Sequence, residues 1–550
     1  MRLRVVTMLG RHNPQRGLFD VIGLPHTVDS NSFYGRMGAL HQVLFEDEDL
    51  SGMYTLDNGR PCLPPSLMCG VLLLQFYDDV SDGEAAERVK FDLRWKVALG
   101  LPLDYPGFDP SSLSVFRKRL LEHGKERYAF DRFLKVGRGA GFIPDKVTLI
   151  LDTAAAKGAG AVQDSYTLLR KGIRKLLRAM GYDLPGQRQG LGGRAKELVA
   201  RYLDRDRKAA IDWSDPAQRA EQLKVLVRDA ESALEMATRQ AGQEDVRAAW
   251  WLLTKILGDD TEVDEQGEVR IGQGTAPDRV ISVTDPEMRH GRKSKAQRFD
   301  GFKVSVATEA GSELILDIAD MAASEGDGKE LLPAVARVEE QAGVEVERVI
   351  GDGAYGSGEN LAGCADHPGH PVELVSPLRR PDESKVDKAA FRIDLEARKA
   401  TCPQGQEAEG RKVRDEKGRP VLSFAFARSK CEHCPLFNRC VRSKKEGRVV
   451  HTHYHEAHLQ AARKRQDTAE FKEAYRTRSA IERKLAELVG HGVRATRYIG
   501  KGKRQLQRLW AGAAVNLKRL FKLARERGVE LEEVLVCPGG NLPKAGLIAA

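Results

Sequence analysis

At 550 residues, with 41% hydrophobic and 30% charged side chains, the chain is too long for one ordinary core and reads as a globular protein of about two to four domains. No apolar run is long enough to span a bilayer. The basic start, Met1 to Gly10, leads into Arg11-His-Asn-Pro instead of a signal-peptide core, so an intracellular, cytoplasmic location is expected. The net charge of +9 is unevenly placed: residues 441–530 hold 23 Lys/Arg against 9 Asp/Glu, which leaves the rest of the chain about five charges negative and points to a polyanion lying across this segment.

Residues 1–140 read as a helical N-terminal domain. Pro64 and Pro65 open an apolar helix that runs to Phe76. Asp82 caps a helical pattern reaching Lys96, and Asp109 with Ser111 and Ser112 starts another that carries Arg117, Lys118 and Arg119. Two readings stay open: a helix-turn-helix DNA reader, or a bundle packed on the catalytic core.

The first good strand lies in 141–156 and ends at Asp152. Residues 157–258 read as a helical insertion without a catalytic acid. Tyr166, Leu169, Ile173, Leu176 and Leu177 fall on one helical face, and Leu223, Leu226, Val227 and Ala230 on another. These faces can pair with each other or with a second subunit. In 259–360, Phe302 to Glu309 and Leu314 to Met321 form a hairpin, residues 327–342 a helix, and Val346, Val349 and Ile350 a buried strand that stops at Gly351-Asp352-Gly353. Strand, insertion, strand, strand, helix, strand is the order of an RNase H-like α/β core with a mixed sheet. In that fold the first and fourth strands are neighbours, so Asp152 and Asp352 are expected side by side.

Residues 361–470 hold Cys402, Cys431, Cys434 and Cys440 in the spacing C-x28-C-x2-C-x5-C. Four thiolates suit a structural zinc ion and also allow an iron–sulfur cluster; the bland alternative is unpaired buried cysteines. His451, His453, His455 and His458 read as surface residues, one of which could replace a cysteine ligand. Residues 471–530 carry basic helices. Tyr475, Arg478 and Glu482 are spaced to share one helical face, and Leu506, Leu509, Trp510, Ala513, Leu517 and Leu520 form a stripe for core packing. Residues 531–550 read as a loose tail.

The arrangement Leu151-Asp152, Gly351-Asp352-Gly-Ala-Tyr355 and Tyr475-x2-Arg478-x3-Glu482 resembles the insertion-sequence transposases of the DDE class, in the subgroup with a cysteine cluster before the Glu helix. A basic residue often found seven positions after the Glu is Val489 here, which leaves Arg483, Lys484 or Arg494 to supply that contact. For the first Asp, Asp145 and Asp164 are the alternatives to Asp152. The resemblance implies that Asp152, Asp352 and Glu482 hold Mg²⁺ or Mn²⁺ for cleavage of transposon ends and strand transfer into target DNA. It also implies DNA contacts from Tyr475, Arg478, Arg483, Arg494, Arg497, Lys501, Lys503 and Arg504, and a homo-oligomer on DNA. An RNase H-like nuclease that only hydrolyses and a non-catalytic DNA-binding derivative are the competing classes.

Overall fold

The computed structural model describes residues 23–536 apart from 56–61, 190, 205–210, 241, 277, 294–295, 379–383 and 442–445, together with residues 10, 17, 18 and 20. Of the loose tail expected over 531–550, Leu531–Val536 is instead a helix with Leu531, Val534 and Leu535 buried, and the rest, with Cys537, lies outside the described residues.

The first part is helical: α1 (Phe33–Ala39), α2 (Pro65–Tyr77), α3 (Asp82–Phe91), α4 (Leu93–Leu99), α5 (Ser111–Glu122) and α6 (Tyr128–Gly139). Helix α2 is buried nearly all round, which is why its apolar residues show no single face. The pattern from Asp82 to Lys96 is two helices. Asp92 turns extended after α3, and its carboxylate accepts from the Arg94 N–H to start α4.

Strand β1 (Lys146–Lys157) follows, then the insertion helices α7 (Ser165–Ala179), α8 (Gly193–Val199), α9 (Pro216–Thr238) and α10 (Glu244–Asp260). Their apolar faces close on each other in a separate core that includes Leu169, Ile173, Leu226, Ala230, Leu253 and Ile256. A short hairpin the pattern did not announce, β2 (Thr261–Val263) and β3 (Val269–Ile271), packs on the same core.

The central sheet is completed by β4 (Arg289–Arg292), β5 (Arg298–Glu309), β6 (Ile315–Ala322), β7 (Glu345–Ile350) and β8 (Glu373–Val375), with α11 (Leu331–Ala342) before β7 and α12 (Gly358–Ala365) before β8. Its path is β4-β5-β1-β7-β8, with β6 also paired to β5. Strand β5 runs antiparallel to both β1 and β6, whereas β7 is parallel to β1 and β8 to β7. The first and fourth strands of the expected core are therefore neighbours.

The cysteine-bearing segment is a five-stranded antiparallel sheet, β9 (Arg392–Asp394), β10 (Lys399–Thr401), β11 (Glu407–Arg414), β12 (Pro420–Ala425) and β13 (Val449–His451), with a small core around Phe391, Phe424, Phe426 and Val450. After it come α13 (Glu456–Gln466), α14 (Ala469–Arg476), α15 (Ser479–Gly490), α16 (Lys501–Arg527) and α17 (Leu531–Val536).

Helix α16 is the pin of the molecule. Trp510 is fully buried, its ring 6.4 Å from Phe45 of the N-terminal part. A Cβ on Gly512 would come within 3.0 Å of the Phe130 ring of α6. Asn516 exchanges two hydrogen bonds with the backbone of Ile315, each 2.8 Å, and Arg36 donates to the Phe521 carbonyl at 2.7 Å. Of the two readings of the N-terminal helices, this packing supports the bundle on the core. The basic cluster of α5 is partly engaged within the fold. Arg117 is buried and donates to Asp82, and Arg119 sits over the Tyr54 ring.

Candidate active site at the ends of the central strands

The last β1–β7 pair is Ile150 with Ile350. Asp152 and Asp352 each stand two residues further on: Asp352 lies just past the end of β7, whereas Asp152 is inside β1, which does not stop there as expected but runs on to Lys157 paired with β5. Asp152 is half-buried. Its Oδ1 accepts from the Thr153 N–H at 2.8 Å and its Oδ2 from Arg478 Nη2 at 2.7 Å. Asp352 begins a tight turn in which its Oδ1 accepts from the Ala354 N–H at 2.8 Å. Its own carbonyl accepts from the Ser376 hydroxyl, just past β8, and from the Tyr355 N–H. Gly351 is needed because a Cβ there would meet the Tyr355 ring at 2.6 Å.

Glu482 comes from a different direction. The expected single helix over Tyr475, Arg478 and Glu482 is two helices, joined at Thr477–Arg478 by i→i+3 hydrogen bonds from Arg478 to Tyr475 and from Ile481 to Arg478. Arg478 stands at that joint. Its Nη1 donates to Glu482 Oε1 at 2.9 Å while Nη2 holds Asp152. One guanidinium thus links the strand acid to the helix acid. Tyr475 stacks on Phe471 nearby.

The charges are unbalanced. Burial pushes the Asp152 carboxyl up from its ordinary value; the Thr153 N–H and Arg478 oppose this, and the charges of Asp352 and Asp327 add to it. Burial works against the Arg478 charge, but Asp152, Tyr475, Asp352 and Glu482 outweigh it and its pKa is raised. Arg478 is shared between Asp152 and Glu482, and burial remains the largest reason the Asp152 carboxyl is raised. Tyr355 lies in the same field. Its phenol is pushed up by burial and then by Asp327, Asp152 and Asp352, and its hydroxyl is buried without a hydrogen-bond partner. Asp327, held by Lys303 Nζ at 2.7 Å, is a neighbour that sequence reasoning did not single out; only its place at a helix start marked it.

The alternatives to Asp152 serve the fold. Asp145 precedes β1 at its opposite end, 91% exposed and paired with Arg138, and Asp164 caps α7 through the Thr167 N–H and hydroxyl.

The basic residues divide into two groups. Arg494, Lys501 and Lys503 are exposed, and Arg483 is exposed but paired with Glu313 at 2.6 Å. Arg497 donates to the Val80 carbonyl and to Asp79. Arg504 is only 2% exposed, bonded to Asp320 and Glu287 and lying 3.8 Å over the Phe302 ring. The expectation that Arg504 faces DNA is therefore corrected: the Phe302 ring of β5 and three acids, Asp285, Glu287 and Asp320, enclose it.

Cys402, Cys431, Cys434 and Cys440 line one pocket with His433, Phe391, Phe426 and Arg448. Burial pushes the Cys440 thiol up, Arg448 opposes, and the other three cysteines add to the rise. None of His451, His453, His455 and His458 lines this pocket; His453 instead leans toward Glu359 at the start of α12. Among the described residues, the set of potential ligand atoms that all lie within 4.8 Å of one another is that of Glu339, His367 and His370. The three acids and the four cysteines are grouped more loosely than that. No helix among the described residues is long and apolar enough to cross a membrane.

Two family models match the chain. One, described as transposase DDE domain, covers residues 401–521 and so includes all four clustered cysteines, Arg478 and Glu482. The other, described as transposase domain (DUF772), covers residues 25–119, from before α1 into α5. No curated protein matches the chain, and no solved structure does. A DDE domain implies an RNase H-like fold; the matched residues follow the mixed sheet in the chain. One match lies in the N-terminal helices and the other over the segment carrying Arg478 and Glu482, and together they support a DDE-type transposase of an insertion sequence.

Proposed function

We infer that this transposase cuts the ends of its element and joins them to target DNA by in-line phosphoryl transfer, with Asp152, Asp352 and Glu482 as the catalytic acids. The observation that supports this reading is the Arg478 bridge, which ties the acid of the first strand to the acid of the helix, with Asp352 just past the end of the neighbouring strand.

The donor set is all oxygen, which fits a hard cation, Mg²⁺ or Mn²⁺. Such ions, when bound, supply activation of water or a 3′-hydroxyl and stabilisation of the leaving oxygen. The chain's own residues do the rest. Arg478 keeps the acids from repelling one another before DNA arrives, and its fork of donors suits the non-bridging oxygens of the scissile phosphate. The buried Tyr355 ring keeps water from the back of the Asp352 turn. Arg494, Lys501 and Lys503 extend a phosphate-binding surface from α15 into α16, with Tyr475 and Arg483 at its near end. Arg497 and Arg504 hold that surface in place from behind.

Cys402, Cys431, Cys434 and Cys440 are proposed to hold one structural zinc ion, their soft donors and shared pocket suiting zinc, with an iron–sulfur cluster the lesser alternative. We place the protein in the cytoplasm, working on DNA as a homo-oligomer.

The test uses purified protein, a donor DNA carrying the element's ends, and Mg²⁺. Wild type should nick the ends and join a pre-cleaved 3′-hydroxyl end to a target plasmid. Asp152→Asn, Asp352→Asn and Glu482→Gln should do neither while still binding DNA. Hydrolysis without joining would favour the nuclease; binding without either reaction, in wild type, would favour the non-catalytic derivative.

A further inference from the structure

Strand β7 has a second end. Its last residues lead to Asp352, but at its start, about 20 Å away for six residues of strand, lies a cluster with no part in the chemistry above. Glu339, in the last turn of α11, reaches over Val346, and its Oε1 accepts the Val346 N–H at 3.1 Å. His367 Nε2 lies 2.8 Å from Glu339 Oε2, and His370 Nε2 lies 3.2 Å from Oε1. The two imidazoles are arranged edge to face with centroids 5.3 Å apart.

The local sequence builds this pair. His367-Pro-Gly-His370 connects α12 to β8, and Gly369 has φ +91°, the conformation a type II turn demands of its third residue. Such a turn returns its first and fourth residues to one side. The His367 side chain is 9% exposed and those of His370 and Glu339 are 24% and 22%, so the cluster is sheltered yet open to small solutes.

We propose that Glu339, His367 and His370 form a binding site for a divalent transition-metal ion of the zinc class, separate from the catalytic acids and from the cysteines. Two imidazoles and one carboxylate are the donor set of three-ligand zinc sites. Bonds of about 2.0–2.1 Å in tetrahedral geometry put ligand atoms roughly 3.3 Å apart, and one ligand atom from each of the three residues lies within 4.8 Å of the others here. His370 Nε2 also hydrogen-bonds the Val346 carbonyl at 3.1 Å, which fixes the ring against the start of β7. The imidazoles select against Mg²⁺, which prefers oxygen. The site pins the start of β7 to the turn that feeds β8. The far ends of these strands carry Asp352 and the Ser376 hydroxyl that holds its carbonyl.

The experiment titrates Co²⁺ into the full-length protein carrying Cys431→Ser and Cys434→Ser, with excess Mg²⁺ to occupy the catalytic acids. Visible d–d absorption without thiolate charge transfer should saturate at one equivalent. Adding His370→Gln, which keeps a hydrogen-bonding side chain, should weaken cobalt binding more than about tenfold with an unchanged circular-dichroism spectrum. No cobalt absorption in the cysteine variant, or undiminished binding in the His370→Gln protein, would overturn the proposal. Should the cysteine variant fail to fold, metal analysis of otherwise wild-type protein decides. His370→Gln should contain one zinc fewer per chain, and equal contents would leave the three residues as a hydrogen-bonded cluster only.

Discussion

Arg478 donates to Asp152 at 2.7 Å across 326 residues of sequence, and in doing so joins the first strand of the sheet to the joint between two C-terminal helices. The bond stands between a half-buried acid and the surplus charge around it. Arg478→Ala should lower single-turnover cleavage by at least about 10²-fold, because the arginine is placed where charge develops on the phosphate. Binding of the same DNA, measured by gel shift at fixed salt, should change only a few-fold. A variant that cleaves normally would reduce Arg478 to a structural brace.

Asp152 carries a stability cost at neutral pH. Its folded pKa is raised above the unfolded value, so the folded state takes up a proton more readily than the unfolded chain. Its contribution is most favourable below the unfolded carboxylate range and is lost as pH rises through the folded pKa. Asp152→Asn should therefore melt at or above the wild-type temperature at pH 7, and the gap should close as pH falls toward 4. Scanning calorimetry at both pH values reads this directly.

The basic residues should separate in two assays. Arg494→Ala, Lys501→Ala and Lys503→Ala should each reduce the salt dependence of DNA binding by about one phosphate contact, with unchanged melting. Arg504→Ala removes the hydrogen-bonding partner of the Asp320 carboxylate, leaving Arg508 at 3.6 Å, and should cost up to about 3 kcal/mol of stability, visible in denaturant unfolding before any DNA is added.

Asp164→Ala should keep its cleavage activity. The side chain caps α7, so the loss is that of a helix cap, about 1 kcal/mol. A folded variant without metal-dependent cleavage would move the first catalytic acid from Asp152 to Asp164.

Cys431→Ser with Cys434→Ser should lose one zinc ion per chain and expose the small sheet to proteolysis. Elemental analysis and limited proteolysis of the two proteins side by side check this; equal zinc contents would leave the thiols as packing residues.

The strand acids were legible because each ends an apolar run, and Gly351 and Gly353 mark the turn at the second. Helix α16 was legible from its apolar stripe. The sheet β9–β13 was not: β11 is mostly exposed and highly charged, so no alternation betrays it. The joint at Thr477 was missed because helical spacing across it is nearly unbroken, while the backbone tightens locally. Arg504 misled for a different reason. A basic side chain in a basic segment reads as surface unless its partner is known, and Asp320 lies 184 residues away. The same holds for Glu339, which the two histidines do not foretell.

The burial of α16 between the N-terminal helices and the sheet sets the order in which this molecule can be made. Its contacts with Phe45, Phe130 and Ile315 all join the end of the chain to much earlier residues, a high contact order. The N-terminal helices leave the ribosome first but cannot complete their packing until α16 follows. A nascent chain halted before Lys501 keeps the apolar faces that α16 covers open to water, and chaperones would meet it there. Synthesis, not only DNA, thus gates when a competent transposase exists.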